Sequence, residues 1–572
     1  MTRSRILVLS SLCLALGVLW IVWVYPKRVD MSSFAPANSL IYLEANRPSA
    51  VLDALQGTEA WQLMGEHQNS LKIPARRGWL QHLLRATGIG PIDSVIMARL
   101  QVAVVVIDLA ASEEGETLNV KPEATVILET HTAESRVRPP IERVLQDLAT
   151  NAYGSPQPQR SSVDGVQYVE WKNPNGTREL VATFFGSVVI VGNSRRAVDT
   201  CLKVVRRRAP SLKENPDLNR TRVQHDSSTA LAFGFVPASS SGRLMSVGLP
   251  ILFGRGPADG EFQSLINKAA TKIFGRLAWS CRTFKGGIED RYQISLQHSV
   301  VAQLKPHWGS VRASTGPLET IDFYSMSRYK FEDPLGAWQS LKTTISGHVD
   351  ALGAVVFNSI LNSGLLAYGI EEPEAFLGAV QGDIRTVRID QHGDRQLLVA
   401  PVRDLSKLTE LFETRMRFKK QRTVVAGTSV FESSDGSKGV ALNGSIVVVG
   451  HPTDVQQYFL RVAEGKAKGY QGSRQITYFA DPNDSSHVST YTNDTERVGS
   501  FLSAILSFSG SRLPSGAYLE GNIGGAPYAV TESTLGDEGV ERVTRSPVGQ
   551  FGTLLPLIIP IRLPQQTFGD PK

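Results

Sequence analysis

The side chains that most often do chemistry in enzymes are scattered along this chain without a shared spacing. Ten histidines occur, at His67, His82, His131, His225, His298, His307, His348, His392, His451 and His487. None belongs to an HExxH motif or to a pair at metal-ligand spacing, and the cysteines form no CxxC pair. We therefore predict no metal and no cofactor.

Motifs for phosphate binding and for nucleophilic catalysis are also missing. Gly88-Ile89-Gly90 and Gly521–Gly525 are rich in glycine, but neither completes GxGxxG, and turns account for both. The sequence contains no GxxxxGK[ST] and no GxSxG. A Ser/His/Asp site assembled from distant residues leaves no such trace, so catalytic residues stay unassigned and this alternative stays open.

Two basic clusters are the candidate contact sites. One follows a predicted helix that ends near residue 205, and the other ends a predicted helix near residue 416. Cations at the carboxyl end of a helix interact favourably with its dipole, which is one explanation. Contact with phosphates of lipid or of an anionic wall polymer is the other. The candidate side chains are Arg206, Arg207, Arg208, Arg415, Arg417, Lys419, Lys420 and Arg422.

Composition is ordinary for a folded protein of this size. The 572 residues are 42% hydrophobic and 20% charged, which favours globular domains with a large core over disorder. The 60 basic and 54 acidic residues give a net charge of +6. Nucleic-acid binding needs a concentrated basic face, so this small excess argues against it.

An uncharged segment near the amino terminus is long enough to cross a bilayer. Ile6–Tyr25 reads ILVLSSLCLALGVLWIVWVY, close to the ~20 residues that a spanning helix needs. Trp20 and Trp23 lie at its far end, where aromatic rings favour the headgroup region. The only nearby small-x-small site, Ala35–Ala37, lies far beyond the apolar run. We predict an uncleaved signal anchor, favoured over a cleaved signal, with the bulk of the chain outside the cytoplasm.

One heptad occurs twice, and it organises the rest of the chain. Gly186–Gly192 reads GSVVIVG and Gly444–Gly450 reads GSIVVVG. Each predicts a strand buried on both faces, followed by an amphipathic helix. Each is preceded by two strand-like runs around Asn175-Gly176 or Asp435-Gly436, pairs that are typical of type I′ hairpin turns. The recurrence at a spacing of ~250 residues indicates a duplicated unit rather than a short repeat array.

A shorter unit follows each copy, with a strand, a helix and a predicted Gly-Gly hairpin. The glycine pairs are Gly286-Gly287 and Gly524-Gly525. Frequent hairpins without βαβ alternation predict an α+β fold of duplicated, mainly antiparallel sheet units with packed helices, behind one transmembrane helix. The predicted divisions are a cytoplasmic tip (1–5), the anchor (6–25), a linker (26–38), long units (39–210 and 318–468) and short units (225–304 and 474–564).

Three smaller features complete the predicted organisation. Lys203–Asn219 is basic and then rich in Pro and Asn, which is typical of a linker. The apolar tail from Phe551 is too short and proline-rich to span a membrane, and packing on the body is favoured over lying on the membrane surface. Cys201 and Cys281 could form one disulfide or remain separate buried thiols, and the sequence leaves both open.

The overall pattern resembles a bacterial membrane-anchored family of domains of unknown function with repeated α+β units. The resemblance rests on the anchor, a Thr87-Gly88-Ile89 turn before a strand, and a hairpin that leads into a VVxVG strand. It covers nearly the whole chain after the anchor, although the second copy has Tyr368-Gly369-Ile370 in place of Thr-Gly-Ile. The family has no assigned catalytic residues, so the resemblance implies no site.

These observations predict a membrane-anchored cell-envelope protein that binds or scaffolds another component. The partners that we predict are the membrane, through Ile6–Tyr25, and an envelope protein, lipid or anionic polymer. Two alternatives remain: an anchored extracytoplasmic hydrolase with a dispersed site, and a carrier of an apolar ligand.

Overall fold

The structure is a computed structural model that describes residues 28–65, 99–114, 117–154, 156–252, 268–310, 323–425, 428–463, 473–481, 484–508 and 525–558. Over these residues the chain is an α+β protein with a large antiparallel sheet, which confirms the predicted fold class at that level. The strands are β1 Ile41–Ala45, β2 Gln101–Glu114, β3 Thr117–Glu129, β4 Gln159–Val163, β5 Val166–Lys172, β6 Glu179–Phe185, β7 Val188–Gly192, β8 Ala232–Val236, β9 Phe274–Phe284, β10 Gly287–Leu296, β11 Ser325–Tyr329, β12 Ile384–Arg388, β13 Gln396–Pro401, β14 Lys419–Val425, β15 Thr428–Glu432, β16 Gly439–Leu442, β17 Ile446–Gly450, β18 Val488–Thr492, β19 Ala529–Gly536 and β20 Gly539–Ser546.

Strand pairing repeats between the two halves of the chain. In the first half the spatial order is β4-β5-β6-β7-β3-β2-β1-β8-β9-β10, with every neighbouring pair antiparallel. In the second half it is β14-β15-β16-β17-β13-β12-β11-β18-β19-β20, again antiparallel throughout. Each strand of one half therefore has a counterpart ten places later.

The two halves share one sheet. β10 pairs with β20 in antiparallel register from Ile288 opposite Ser546 to Ser295 opposite Gly539. Each half would otherwise end in an edge strand with unpaired backbone groups at this position. The β10–β20 ladder satisfies both edges and places the join at the centre of the sheet.

The repeated heptads occupy matching places. β7 lies between β3 and β6, and β17 lies between β13 and β16. All five residues of β7 are buried, as are Val447–Val449 of β17. The prediction of strands buried on both faces is confirmed. Ile190 and Val448 occupy the same position of the heptad. In each strand this residue packs on one face of the sheet, and the residues directly before and after it pack on the opposite face.

Helices connect the strands and cover both faces of the sheet. They are α1 Pro48–Gln56, α2 Glu59–Gly65, α3 Glu134–Tyr153, α4 Arg195–Val205, α5 Pro216–Gln224, α6 Ala238–Leu252, α7 His298–Leu304, α8 Pro334–Ser346, α9 Ala351–Leu366, α10 Pro373–Ala379, α11 Leu405–Glu410, α12 Pro452–Ala463, α13 Ser473–Thr477, α14 Thr495–Phe508 and α15 Phe551–Ile558. Short 3₁₀ turns span Met31–Phe34, Leu212–Glu214 and Lys305–His307, and a π turn spans Leu411–Arg415.

Each half buries two apolar clusters, one on each face of the sheet. In the first half, α4 and α5 pack on the face that carries Ile190, and α3 packs on the opposite face around Trp171. In the second half, α12 packs on the face that carries Val448, while α10 and α11 cover the opposite face around Phe376. A further cluster joins α1 and α2 to α14 and α15, so the halves are held by side chains as well as by β10–β20.

Hairpins form at three of the predicted glycine positions, but their turns differ from the prediction. At Gly176 and Gly436 only the glycine has a positive φ, of 67° and 70°, so the turns are not type I′. Lys285 and Gly286 both have positive φ, as a type I′ turn requires. The fourth hairpin was wrongly placed: β19 turns into β20 between Gly536 and Gly539, and its other edge pairs with β18, so no edge of β19 is left for a strand before Gly524.

The predicted linker after α4 is part of the core. Leu212 in a 3₁₀ turn and Leu218 in α5 are fully buried, so apolar anchoring outweighs the local Pro and Asn content. The tail packs on the body through Phe551 in α15, as predicted. Cys201 and Cys281 are both buried free thiols in different clusters, so the structure resolves that open alternative against a disulfide.

No helix in the part of the chain that the structure describes is long and apolar enough to cross a bilayer. The predicted anchor, Ile6–Tyr25, lies outside the described residues. The Thr87-Gly88-Ile89 turn lies outside them as well, together with Gly524 of the misplaced hairpin.

Candidate functional site

The first predicted basic cluster lies where α4 ends. Arg206 is the C-cap of the helix, and Arg207 follows in the left-handed region with a φ of 57°. Arg207 and Arg208 are exposed, and Arg206 is half-buried. Within the described residues no carboxylate pairs with any of the three, and Arg207 and Arg208 present their charge to solvent.

The second basic cluster is not the helix end that the sequence predicts. Only Arg415 belongs to the helical turn, and it is paired with Glu372 at 2.8 Å and with Glu410 at 3.5 Å. Arg417 and Lys419 are exposed, Lys419 opens β14, and the backbones of Lys420 and Arg422 lie within that strand. Lys419 and Lys420 pair with residues of β15, so they belong to a strand and not to the helix end.

Charged side chains converge where the two halves join. Glu289 on β10 is almost fully buried, and its carboxylate accepts hydrogen bonds from Arg282, Arg291 and Arg545, each at 2.9 Å. Arg545 also donates to Glu532 at 2.8 Å. Burial raises the pKa of Glu289, but the bonds from Arg291 and Arg545 outweigh it, so the pKa lies below its ordinary value. This network ties β9, β10, β20 and β19 together.

The same face of the sheet carries buried ion pairs further into the second half. Arg328 binds Asp383 through two hydrogen bonds of 2.9 and 2.8 Å. Lys330 is fully buried, and its ammonium donates to Asp484 at 2.5 Å and to the Ser486 hydroxyl at 3.2 Å. Because these buried charges compensate one another, they hold strands together rather than await a substrate.

Two buried carboxyl groups on the opposite face of the sheet have fewer charged partners than Glu289. Asp290 accepts hydrogen bonds from the Trp279 indole and from the backbone N–H of Gln550, both at 2.9 Å. Asp494 has Arg497 at 3.3 Å, and no donor in the described residues reaches its Oδ2. Burial is the main cause that raises the pKa of each carboxyl group to about 6.

The raised pKa of these two carboxyl groups predicts that their contribution to stability falls as pH rises through about 6. Their folded pKa lies above the unfolded value, so the stabilisation is complete below about pH 4 and is lost through the folded pKa. In Asp494→Asn we expect a smaller fall in the free energy of unfolding, by roughly 1–3 kcal/mol between pH 4 and pH 8. Urea denaturation across that range measures both proteins, and identical pH profiles would contradict the assignment.

An open cleft of about 550 Å³ lies beside Val29, close to the first residue that the structure describes. We call it the Val29 cleft; its lining residues are Val29, Glu129, His131, Thr132, Ala133, Gly186 and Ser187. Glu129 ends β3, His131 and Thr132 precede α3, and Gly186 and Ser187 form the turn between β6 and β7. Its volume is in the range of small-molecule sites.

Gln101 at the start of β2 fixes the arrangement of this cleft. Its amide oxygen accepts from the Val29 N–H at 2.9 Å, and its amide nitrogen donates to the Val29 carbonyl at 2.9 Å. These two hydrogen bonds to the backbone of one residue set the orientation of the Gln101 side-chain amide. The Nε2 of His131 lies 3.0 Å from the same amide oxygen, so this ring nitrogen must be the donor.

Besides the hydroxyl groups of Thr132 and Ser187, the cleft contains acceptor groups on Glu129 and His131. Glu129 is 3% exposed, and its Oε1 accepts from the His131 N–H at 2.8 Å. The Nδ1 of His131 lies 3.9 Å from that same oxygen. Among the described residues, no donor contacts the Oε2 of Glu129. The cleft therefore offers a carboxylate and an imidazole nitrogen to a donor from outside.

None of the eight basic residues predicted from the sequence lines this cleft. His131 was among the scattered histidines, but neither Glu129 nor Gln101 was singled out. The unusual feature of His131 is its positive φ of 50°, which non-glycine residues rarely take and which only the structure shows. His451, by contrast, contacts Thr453 at the entry to α12, as expected for a helix-entry residue.

The described parts of the chain contain no cluster of side chains that could bind a metal ion. No group of three or more His, Cys, Asp or Glu side chains is placed there to hold an ion. No protein-family model matches the chain, and no curated protein sequence matches it. The function of the Val29 cleft therefore rests on its geometry.

Proposed function

We propose that this chain is a cell-envelope protein, anchored in the cytoplasmic membrane by Ile6–Tyr25, that binds or scaffolds another component without catalysing a reaction. The uncharged segment supports the anchor. The repeated strand order supports an origin by duplication, and likeness to a membrane-anchored family of unknown function belongs to the same proposal. Arg206, Arg207 and Arg208 are the proposed contacts for anionic partners.

The observation that favours binding over hydrolysis is the hydrogen bond between His131 and Gln101. The Val29 cleft brings Ser187, His131 and Glu129 together, which are the residue types of a hydrolytic triad. In a triad, one imidazole nitrogen accepts from the serine while the other donates to the carboxylate. Here Nε2 donates to Gln101 and only Nδ1 faces Glu129, so neither nitrogen is placed to activate Ser187.

A second observation supports a scaffold. The buried charges Glu289, Arg328 and Lys330 are each compensated by partners on neighbouring strands or loops. Together with the β10–β20 ladder, they join the two halves into one sheet. A large body of fixed shape suits a protein that presents surface to a partner.

Protease treatment of spheroplasts tests the anchored topology. We expect added protease to digest the body and to leave a short membrane-bound fragment that contains Ile6–Tyr25, because a spanning helix is shielded by lipid. A mature chain that begins near residue 38 would contradict the anchor. Turnover of an ester or peptide that is lost in Ser187→Ala would instead support the hydrolase.

A further inference from the structure

We propose that the Val29 cleft binds the primary ammonium group of a phospholipid headgroup. The ligand chemistry follows from the side chains of the cleft. The assignment of a lipid as its source rests on the proposed anchor.

The first argument is the arrangement of acceptors around His131. Gln101 requires that Nε2 carry the proton, which in a neutral imidazole leaves a lone pair on Nδ1. That lone pair lies 3.9 Å from the Glu129 carboxylate, so two acceptors approach each other. A donor about 2.8 Å from both atoms fits between them, and an ammonium group has the two protons needed to satisfy both.

The second argument is the burial of Glu129. Its side chain is 4% exposed, and no arginine or lysine in the described residues pairs with it. This contrasts with Glu289, which holds three arginines. A buried carboxylate beside a neutral imidazole has no cation, which is costly, and a cationic ligand would compensate the charge.

The start of α3 provides a place for the negative part of the same headgroup. Ala133 lines the cleft and is the N-cap of this 20-residue helix, and its side chain makes no capping hydrogen bond. Its carbonyl accepts from the Arg136 N–H at 3.0 Å, which leaves the N–H groups of Glu134 and Ser135 for a ligand. Free amides at a helix start favour an anion. An ammonium at Glu129 and a phosphate at Ala133 together describe a zwitterion, as in an aminoethyl phosphate headgroup.

The position of Val29 places the cleft close to the proposed bilayer. Val29 is four residues after Tyr25, the last residue of the apolar segment. A fully extended chain spans at most about 3.6 Å per residue, so Val29 can lie no more than about 14 Å from Tyr25. If Ile6–Tyr25 crosses the membrane, the cleft lies within reach of the headgroups on the outer surface.

The test uses the full chain in a non-ionic detergent. Glycerophosphoethanolamine is titrated by calorimetry against glycerophosphocholine, whose trimethylated nitrogen has no proton to donate. We expect the ethanolamine compound to bind at least tenfold more tightly, and we expect Glu129→Gln to reduce its affinity at least tenfold. Glu123→Gln is the matched control: it lies on the same strand, faces Arg196 at 3.6 Å and should leave the affinity unchanged.

The remaining outcomes of the titration test the ammonium site and the lipid source separately. Glutamine can still accept from the His131 N–H, so Glu129→Gln should fold, and the comparison of the two ligands in the natural chain does not depend on it. Equal affinity for both ligands, or no effect of Glu129→Gln, would overturn the ammonium site. Equal binding of free ethanolamine would replace the lipid with a soluble amine.

Vesicles with equal amounts of phosphatidylethanolamine and phosphatidylglycerol test the lipid source. After extraction, native mass spectrometry of the full chain should show retained phosphatidylethanolamine, and less of it in Glu129→Gln. Retention of neither lipid would reject the lipid source. If glycerophosphoethanolamine binds but spheroplast proteolysis shows no anchor, the headgroup chemistry stands and the anchor fails.

Discussion

Lys330→Met should reduce the free energy of unfolding by about 3–5 kcal/mol, the usual cost of removing one partner of a buried ion pair. Lys330 is fully buried, and its ammonium is the cation closest to Asp484, at 2.5 Å. Methionine fills the same volume, so the loss would report the uncompensated carboxylate rather than a cavity. Chemical denaturation of the two proteins at pH 7 measures the difference.

Two further variants separate this pair from the general effect of losing a lysine. Lys342→Met removes an ion pair of 2.7 Å with Glu374 at the surface and should cost less than about 1 kcal/mol. In the double variant Lys330→Met/Asp484→Asn, part of the lost stability should return, because the carboxylate is neutralised. Equal losses in the Lys330 and Lys342 variants would show that burial of Lys330 has no energetic consequence.

The same pair predicts a response to acid. Burial raises the pKa of Asp484, but the hydrogen bonds from Lys330, Ser486 and Ser489 outweigh it, so its pKa lies below the ordinary value. A carboxyl group with a lowered folded pKa stabilises the fold above its unfolded pKa, and this contribution is lost as pH falls through the folded pKa. In Lys330→Met the loss should therefore begin at a higher pH.

Val448→Asp should be as damaging or worse, at several kcal/mol, because it buries an unpaired charge. Val448 is fully buried in β17, opposite Val399 on β13 and Ala441 on β16. Val448 packs in an apolar cluster with Val399, Val455 and Phe459. We expect a large drop in the denaturant midpoint and reduced yield of folded protein.

Two comparisons check that burial causes the effect. Val355→Asp makes the same change at a side chain that is 67% exposed in α9 and should alter stability by about 0.5 kcal/mol or less. Ile190→Asp, at the same position of the other heptad, should resemble Val448→Asp because Ile190 is equally buried. A mild effect in both heptads would mean that these strands tolerate exposure.

Local patterns in the sequence predicted most of the sheet elements. β7 and β17 follow from their apolar runs, because a strand buried on both faces needs apolar residues at every position. Hairpins at Gly176 and Gly436 follow from glycine, which adopts positive φ without strain. The hairpin at Asp537 and Glu538 was missed because the prediction placed the turn at the Gly524-Gly525 pair, although Gly536, Asp537 and Gly539 also favour turns.

Such local patterns do not predict which distant strands pair. β1 pairs with β8, and β10 pairs with β20, across roughly 190 and 250 residues. Any exposed strand edge offers equivalent backbone donors and acceptors, so the sequence of one strand does not identify its partner. The partner is chosen by which side chains then pack and by which charges meet, as Glu289 and Arg545 do.

The sequence by itself determined the uncharged segment at Ile6–Tyr25, the repeated heptads and the α+β class, since each depends on residues that are close together in the chain. Only the tertiary structure decided the Val29 cleft. Its residues come from the segment at Val29, the end of β3 and the turn between β6 and β7, and Gln101 at the start of β2, which holds them together, is 72 residues from Val29. Such a site exists only when strand pairing brings these segments together, because each residue is unremarkable in its local context.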